Sequence, residues 1–213
     1  PMRLSVMDGG LDMVEYIYYM SLNYGGMEVF LADTTGKVNL LSGSQPQLDG
    51  LKLSENGKKA AYLDTDANTG DTILVEIELG KEKAETVATN VQSFGYIGNT
   101  LIYYFDYTEG VGTLGAAGSK TTIANASGVQ FTEDAVYYVA DADAATGNGE
   151  LRAWDGKTET AIAKDVFAFQ YKENGKLVYI GKYDVNAGVG DLYYYDGKKA
   201  RKLDTGITAI FIY

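Results

Sequence analysis

One stretch constrains the fold more than any other: Val166 to Asp204, VFAFQYKENGKLVYIGKYDVNAGVGDLYYYDGKKARKLD. It holds four runs of alternating or aromatic and β-branched residues, separated by Asn174-Gly175, by the Gly-rich segment Asp184 to Asp191, and by Asp196-Gly197. Asn-Gly and Asp-Gly admit positive φ at the centre of tight hairpins, so the stretch reads as one four-stranded meander. A single meander of about forty residues cannot bury both of its faces. Whatever covers them has to come from the rest of the chain.

The rest of the chain repeats the same plan. An aromatic-rich strand recurs at Tyr16-Ile17-Tyr18-Tyr19, Ala60-Ala61-Tyr62-Leu63, Leu101-Ile102-Tyr103-Tyr104, Val136-Tyr137-Tyr138-Val139 and Leu177-Val178-Tyr179-Ile180. With Tyr19, Tyr62, Tyr104, Tyr138 and Tyr179 taken as equivalent, the spacing is 34 to 43 residues, the signature of repeat architectures. Each anchor is followed by a polar loop, a second strand, and a tight turn marked by Gly36, Gly80, Gly118, Gly156 and Gly197. A short strand rich in Thr and Lys comes next, then an apolar strand leading to the next anchor. The chain therefore divides into five units, with approximate bounds 11–54, 55–97, 98–132, 133–171 and 172–213, in a single domain over 1–213.

Four strands per unit and five units predict an all-β fold, a ring of small antiparallel sheets in which each meander leans on its neighbours. The apolar strand is expected nearest the axis and the Lys and Thr strand at the rim, where lysines blunt an exposed edge. Lys198, Lys199, Arg201 and Lys202 fit that rim role. The ring is expected to close through Thr208 to Tyr213, which would take the place beside the first anchor and leave Arg3 to Val6 surplus.

Composition removes several function classes. The chain has no Cys, hence no disulfide, thiolate metal site or Cys nucleophile, and no His, which excludes Ser-His-Asp and HExxH chemistry. A formal charge of -11 repels polyanions, so nucleic acid is not an expected partner. No apolar run is long enough to span a bilayer. Pro1 to Gly10 lacks the pattern of a signal peptide, so any export signal or anchor is expected upstream of Pro1.

The phrase Leu53-Ser54-Glu55-Asn56-Gly57-Lys58-Lys59-Ala60-Ala61-Tyr62, followed by a Gly-containing loop and Thr72-Ile73-Leu74-Val75, resembles the repeat of TolB-like β-propellers. In that family a Ser-Pro-Asp-Gly-Lys hairpin precedes an apolar-Tyr strand. Tyr171-Lys172-Glu173-Asn174-Gly175-Lys176-Leu177-Val178-Tyr179 is a second instance, with Lys where the family usually has Pro. The resemblance implies a β-propeller, exported or at a cell surface, used for binding; with the five units counted above, the expectation is a five-bladed β-propeller of four-stranded blades, extracytoplasmic or at a bacterial cell surface, that binds a protein or glycan. It brings no catalytic residues and no cofactor. The chain then reads as a monomeric domain of a longer polypeptide.

Four further patterns carry candidate chemistry. Asp64, Asp66, Asn68 and Asp71 place oxygen ligands along one loop, as calcium sites do, although Val75 stands where an EF-hand has its bidentate Glu. An Asx-rich turn explains the same residues. Glu55, Glu133 and Glu173 lie at strand ends, where a glycoside hydrolase would need paired carboxylates; each also sits beside a hairpin, where a solvated acid is ordinary. The 18 tyrosines suit an interface, and equally the packing between blades. Asn125-Ala126-Ser127 matches an N-glycosylation acceptor.

Overall fold

The computed structural model describes residues 5–7, 16–23, 26–33, 38–42, 47–81 and 84–211, with side chains from residue 50 onward. Among the described residues there are eighteen strands and no helix. They are β1 Ser5–Met7, β2 Tyr16–Asn23, β3 Gly26–Asp33, β4 Val38–Ser42, β5 Gln47–Leu53, β6 Lys59–Thr65, β7 Thr72–Glu78, β8 Ala84–Thr89 and β9 Val91–Ile97. The second half of the chain adds β10 Thr100–Thr108, β11 Val111–Ala116, β12 Thr122–Phe131, β13 Val136–Ala140, β14 Gly149–Trp154, β15 Glu159–Glu173, β16 Lys176–Asp184, β17 Val189–Tyr195 and β18 Ala200–Ile207. The chain divides into two compact units, one running to Asp106 and including Ala116–Gly118, the other made of Tyr107–Gly115 and Ser119–Tyr213.

The first unit contains two four-stranded antiparallel meanders, β1-β2-β3-β4 and β5-β6-β7-β8, and the β9-β10 hairpin. In β6 and β7 the alternation of side chains serves two cores instead of one core and solvent. Ala60, Tyr62, Val75 and Ile77 form one cluster with Leu51. Ala61 and Leu74, on the opposite face, join Val91, Phe94 and Leu101 of the next hairpin. Full burial of a side chain such as Tyr62, Leu74 or Ile77 is worth about 1.5–3 kcal/mol each.

In the second unit β11 to β18 pair in chain order, each antiparallel to the next. Tyr137, Val139 and Leu151 of one meander pack against Phe169, Leu177 and Tyr179 of the following one. Two strands belong to both neighbours. β12 pairs with β11 over Thr122–Ser127 and with β13 over Ala126–Phe131. β15 pairs with β14 up to Val166 and with β16 from Val166 onward.

Both strands turn on a left-handed residue, Asn125 (φ 55°) and Asp165 (φ 53°). Asn90 (φ 55°) holds the same place between β8 and β9 in the first unit. Asn and Asp are the L-residues that adopt this conformation most readily. Opposite each pivot lies a second left-handed residue, Asp106, Asp141 or Lys182. The Asp106 and Asp141 backbone N–H groups donate to the Asn90 and Asn125 carbonyls at 3.1 Å each.

These pivots amend the repeat in three respects. The segments read as separate strands, Lys120 to Ala124 with Val129 to Thr132 and Thr158 to Ala163 with Phe167 to Tyr171, are single strands through a pivot, because one residue of positive φ redirects a strand without ending it. Each apolar strand pairs with the strand after it, β5 with β6 and β9 with β10, so the sheets begin one strand earlier than the bounds 11–54 and onward suggest. Tyr103, not Tyr104, is the equivalent of Tyr138 and Tyr179, since each stands three residues before its left-handed partner.

The expected closure by the C-terminal strand is also corrected. Ser5–Met7 pairs with Tyr16–Tyr18, so the N-terminal strand, not Thr208 to Tyr213, lies beside the first anchor. A partner close in sequence costs less loop-closure entropy than one from the far end of the chain. Residues 208–211 form no strand. The turn expected at Gly36 and the end of the closing strand, residues 212–213, lie outside the described residues.

Candidate functional site

The hairpins that open the last two meanders enclose a half-open groove of about 360 Å³ in the second unit. One wall is Phe131-Thr132-Glu133-Asp134, the other Tyr171-Lys172-Glu173-Asn174. The first hairpin is held by the Thr132 N–H donating to the Ala135 carbonyl at 3.0 Å, with the Thr132 hydroxyl donating to the same oxygen at 2.7 Å. The second is the two-residue turn read from Asn174-Gly175, both of them at positive φ (49° and 71°).

The two walls are tied together from below. The Gln130 side chain accepts from the Tyr171 N–H and donates to the Phe169 carbonyl, at 3.0 Å each, so one carboxamide imitates a strand partner for the neighbouring meander. Asn148 does the same further along, donating to the Tyr183 carbonyl at 2.9 Å and accepting from its N–H at 3.2 Å. At the base Tyr171 packs on Tyr137 with ring centres 4.9 Å apart. Burial, then the neighbouring Tyr171, Asp134 and Tyr195, push the Tyr137 phenol above its ordinary range, so it stays a neutral hydroxyl.

The structure thus brings together Glu133 and Glu173, two of the acids read from sequence, and adds Asp134 and Lys172. All four are exposed, and Glu133, Lys172 and Glu173 have no salt-bridge partner among the described residues. Glu55 is not with them. It lies in the first unit, where its N–H donates to the Gly98 carbonyl at 3.0 Å. What reading the sequence missed is Gln130, whose partners are forty residues away; only knowledge of which meanders adjoin could have found it.

The other candidate residues hold hydrogen bonds of their own. In the loop of Asp64, Asp66, Asn68 and Asp71, Asp66 Oδ1 accepts the N–H groups of Asn68 (2.8 Å) and Thr69 (3.2 Å), while its carbonyl accepts from Gly70 (2.8 Å). Asp143 and Asp184 organise their loops in the same manner. Asp64 is buried on β6, with Oδ1 accepting from the Thr65 N–H at 2.8 Å. Among the described residues no group of three or more acids is arranged to hold a metal ion. The Asn125 amide donates to Asp141 Oδ1 at 3.2 Å and its backbone is the pivot of β12, so the glycosylation match has a structural occupation.

The basic cluster separates likewise. The Lys198 and Lys199 N–H groups donate to Asp196 Oδ1, Arg201 lies over the Tyr194 ring at 5.1 Å, and Lys202 pairs with Asp191 at 2.7 Å. Tyr62, Tyr138, Tyr179 and Trp154 are buried, Tyr179 in the cluster between the last two meanders.

The architecture has counterparts among solved structures. The β-propeller domain of the Trilobed protease from Pyrococcus furiosus matches with a TM-score of 0.53 at 14% identity, over 95% of this chain and 71% of that one. The Pyrococcus horikoshii acylaminoacyl peptidase matches with a TM-score of 0.51 at 13% identity, over 95% of this chain and 39% of that one. TolB from Acinetobacter baumannii matches at 0.43 and 12% identity, over 90% and 52%. The chain spans less than half the length of the acylaminoacyl peptidases it matches. No protein-family model and no curated protein matches it. Together with the strand pairing, the first two likenesses define an all-β chain of β-propeller type. Among the described residues no helix is long and apolar enough to cross a membrane.

Proposed function

We propose that this chain is a non-catalytic binding module of five four-stranded blades, belonging to a bacterial cell-surface or envelope protein, and that it holds a protein or glycan in the groove between the Thr132–Ala135 and Glu173–Lys176 hairpins. The observation that carries this reading is a rigid groove whose charged groups are unpaired. Gln130 fixes both walls, and Glu133, Lys172 and Glu173 are left to solvent over an aromatic base. A preorganised rim of charges around the half-buried Phe131 and Tyr171 rings gives a ligand orientation and affinity at small entropic cost. Hydrolysis of a glycoside would instead need one carboxyl desolvated enough to act as an acid, whereas both glutamates here are exposed. The extracytoplasmic setting follows the TolB-like hairpin phrase around Gly57.

The test is binding to an array of immobilised peptides and glycans by the native chain and by the double variant Glu133→Lys, Glu173→Lys. Ligands retained by the native chain should be lost or weakened at least about tenfold in the variant, the scale of removing a charged pair from a binding rim. Equal binding by both proteins would take the site elsewhere.

A further inference from the structure

The walls of the groove are unequal in charge. Glu133, Asp134 and Glu173 bring three carboxylates, and Lys172 is the one cation among the lining residues. None of the three acids forms a salt bridge among the described residues. Elsewhere in the same unit the chain shows what such groups do with an arginine. Glu150 and Glu159 bracket the Arg152 guanidinium, each in a salt bridge with it, and Arg201 lies over the Tyr194 ring at 5.1 Å from its centre. The groove offers both kinds of partner at once, carboxylates on its two walls and the Phe131 and Tyr171 rings between them.

The Tyr137 hydroxyl points to the same ligand from below. Tyr137 is only 7% exposed, and its hydroxyl makes no hydrogen bond among the described residues. The oxygen lies between the walls: a Cβ at Gly175 would stand 3.8 Å from it, and besides burial it is Tyr171 and Asp134, one from each wall, that push the phenol up. A buried hydroxyl without a partner costs stability, and a phenol kept neutral presents oxygen lone pairs to an N–H donor.

We infer that the groove's ligand is the arginine side chain of a basic segment in a partner protein, its guanidinium stacked on the Phe131 and Tyr171 rings and forked to carboxylates of the two walls. This rests on the groove being the binding site, as proposed above, and selects a protein over a glycan. A guanidinium is planar and combines ring stacking with bidentate pairing, which a lysine ammonium cannot do. The volume of about 360 Å³ lies near the lower end of the range of about 300–1,000 Å³ for ligand pockets, room for a side chain and not for a run of sugar rings. Lys172 repels the same guanidinium, so the sign of its effect is fixed.

The test is a titration of the isotope-labelled chain, followed by amide NMR shifts, with the peptide acetyl-Gly-Arg-Gly-Arg-Gly-amide, with its citrulline counterpart, and with maltohexaose. The arginine peptide should move the amides of 131–134 and 171–174, and the uncharged citrulline peptide should bind at least about tenfold more weakly. Glu133→Gln with Glu173→Gln should weaken the arginine peptide about tenfold, whereas Lys172→Ala should tighten it about twofold or more. Asp143→Asn with Asp184→Asn changes the net charge by the same amount on the loops at the other end of these strands, and should leave binding unchanged. Equal binding of the citrulline peptide, a Lys172→Ala variant that binds no tighter, or an equal loss in the Asp143 and Asp184 variant would each overturn the inference. Shifts of the same amides by maltohexaose with none from the arginine peptide would also overturn it while keeping the groove as the site; peptide shifts confined to other residues would remove both.

Discussion

Substitution of Gly149 by Ala tests how tightly consecutive strands interlock behind each pivot. Gly149 opens β14 against the kink that Asp141 puts into the end of β13. A Cβ there would lie 2.4 Å from the Ala140 carbonyl oxygen, 2.6 Å from Val139 Cγ1 and 3.0 Å from Ala142 Cα. Two of these three atoms are main chain, so no rotamer change relieves them. Gly190 meets the corresponding atoms at the head of β17, with Ile180 Cγ2 at 2.5 Å and the Gly181 carbonyl at 2.9 Å.

Overpacking a filled site costs about 1–3 kcal/mol, and a main-chain obstacle places Gly149→Ala at about 3 kcal/mol. For a chain of this size each kcal/mol lowers the melting midpoint by about 2–4 °C, so a fall of about 6–12 °C is expected by circular dichroism. Gly70→Ala is the control. Gly70 has φ +78° and open space around its missing Cβ, so only left-handed strain is added, about 1 kcal/mol. A Gly149→Ala midpoint equal to that of the parent, or a larger loss from Gly70→Ala, would refute the close contact.

Gly175→Val places a β-branched residue at φ 71° in the hairpin that forms one wall of the groove, and should cost about 1–3 kcal/mol in urea unfolding; parent-like stability would mean that Gly175 does not occupy a left-handed turn position. Backbone N–H groups of Thr146, of Thr158 and Lys157, and of Lys199 and Lys198 hold the Asp143, Asp155 and Asp196 carboxyls below the usual range. Their folded pKa values lie under the unfolded ones, so their contribution is present above about pH 4 and is lost as pH falls through the folded values. The acid limb of a stability profile should accordingly flatten in the double variant Asp155→Asn, Asp196→Asn, and an unchanged limb would count against these turns. Because Asp66 Oδ1 and the Asp66 carbonyl accept N–H groups of their own loop, EDTA should leave the melting midpoint unchanged; a fall on chelation, reversed by calcium, would favour Asp64, Asp66, Asn68 and Asp71 as a cation site.

Turn chemistry made much of this fold legible. Asn174-Gly175, Asp196-Gly197 and Gly156 announce hairpins through φ values that other residues resist, and the structure has positive φ at each glycine. The alternation in β6 and β7 announced strands, and the excess of Tyr announced the packing between them. The pivots were not legible, because Asn90, Asn125 and Asp165 look like ordinary loop residues, and a strand that changes partner midway has the same local pattern as two strands with a gap. That ambiguity also moved the equivalence from Tyr103 to Tyr104. In the groove, Glu133 and Glu173 could be named from their hairpins. Gln130, which positions the walls, could not, since a carboxamide bonded to main chain leaves no pattern in neighbouring residues.

The shared strands bear on how such a chain can lengthen or shorten. Because β15 serves two meanders, no linker exists between them in which residues can be inserted without moving one ladder against another. A duplication or deletion keeps every register only if both breakpoints fall at equivalent pivots, as between Asn125 and Asp165. Genetic gain or loss is then quantised in whole ribbons, and relatives of this chain would be expected to differ in length by about forty residues at a time.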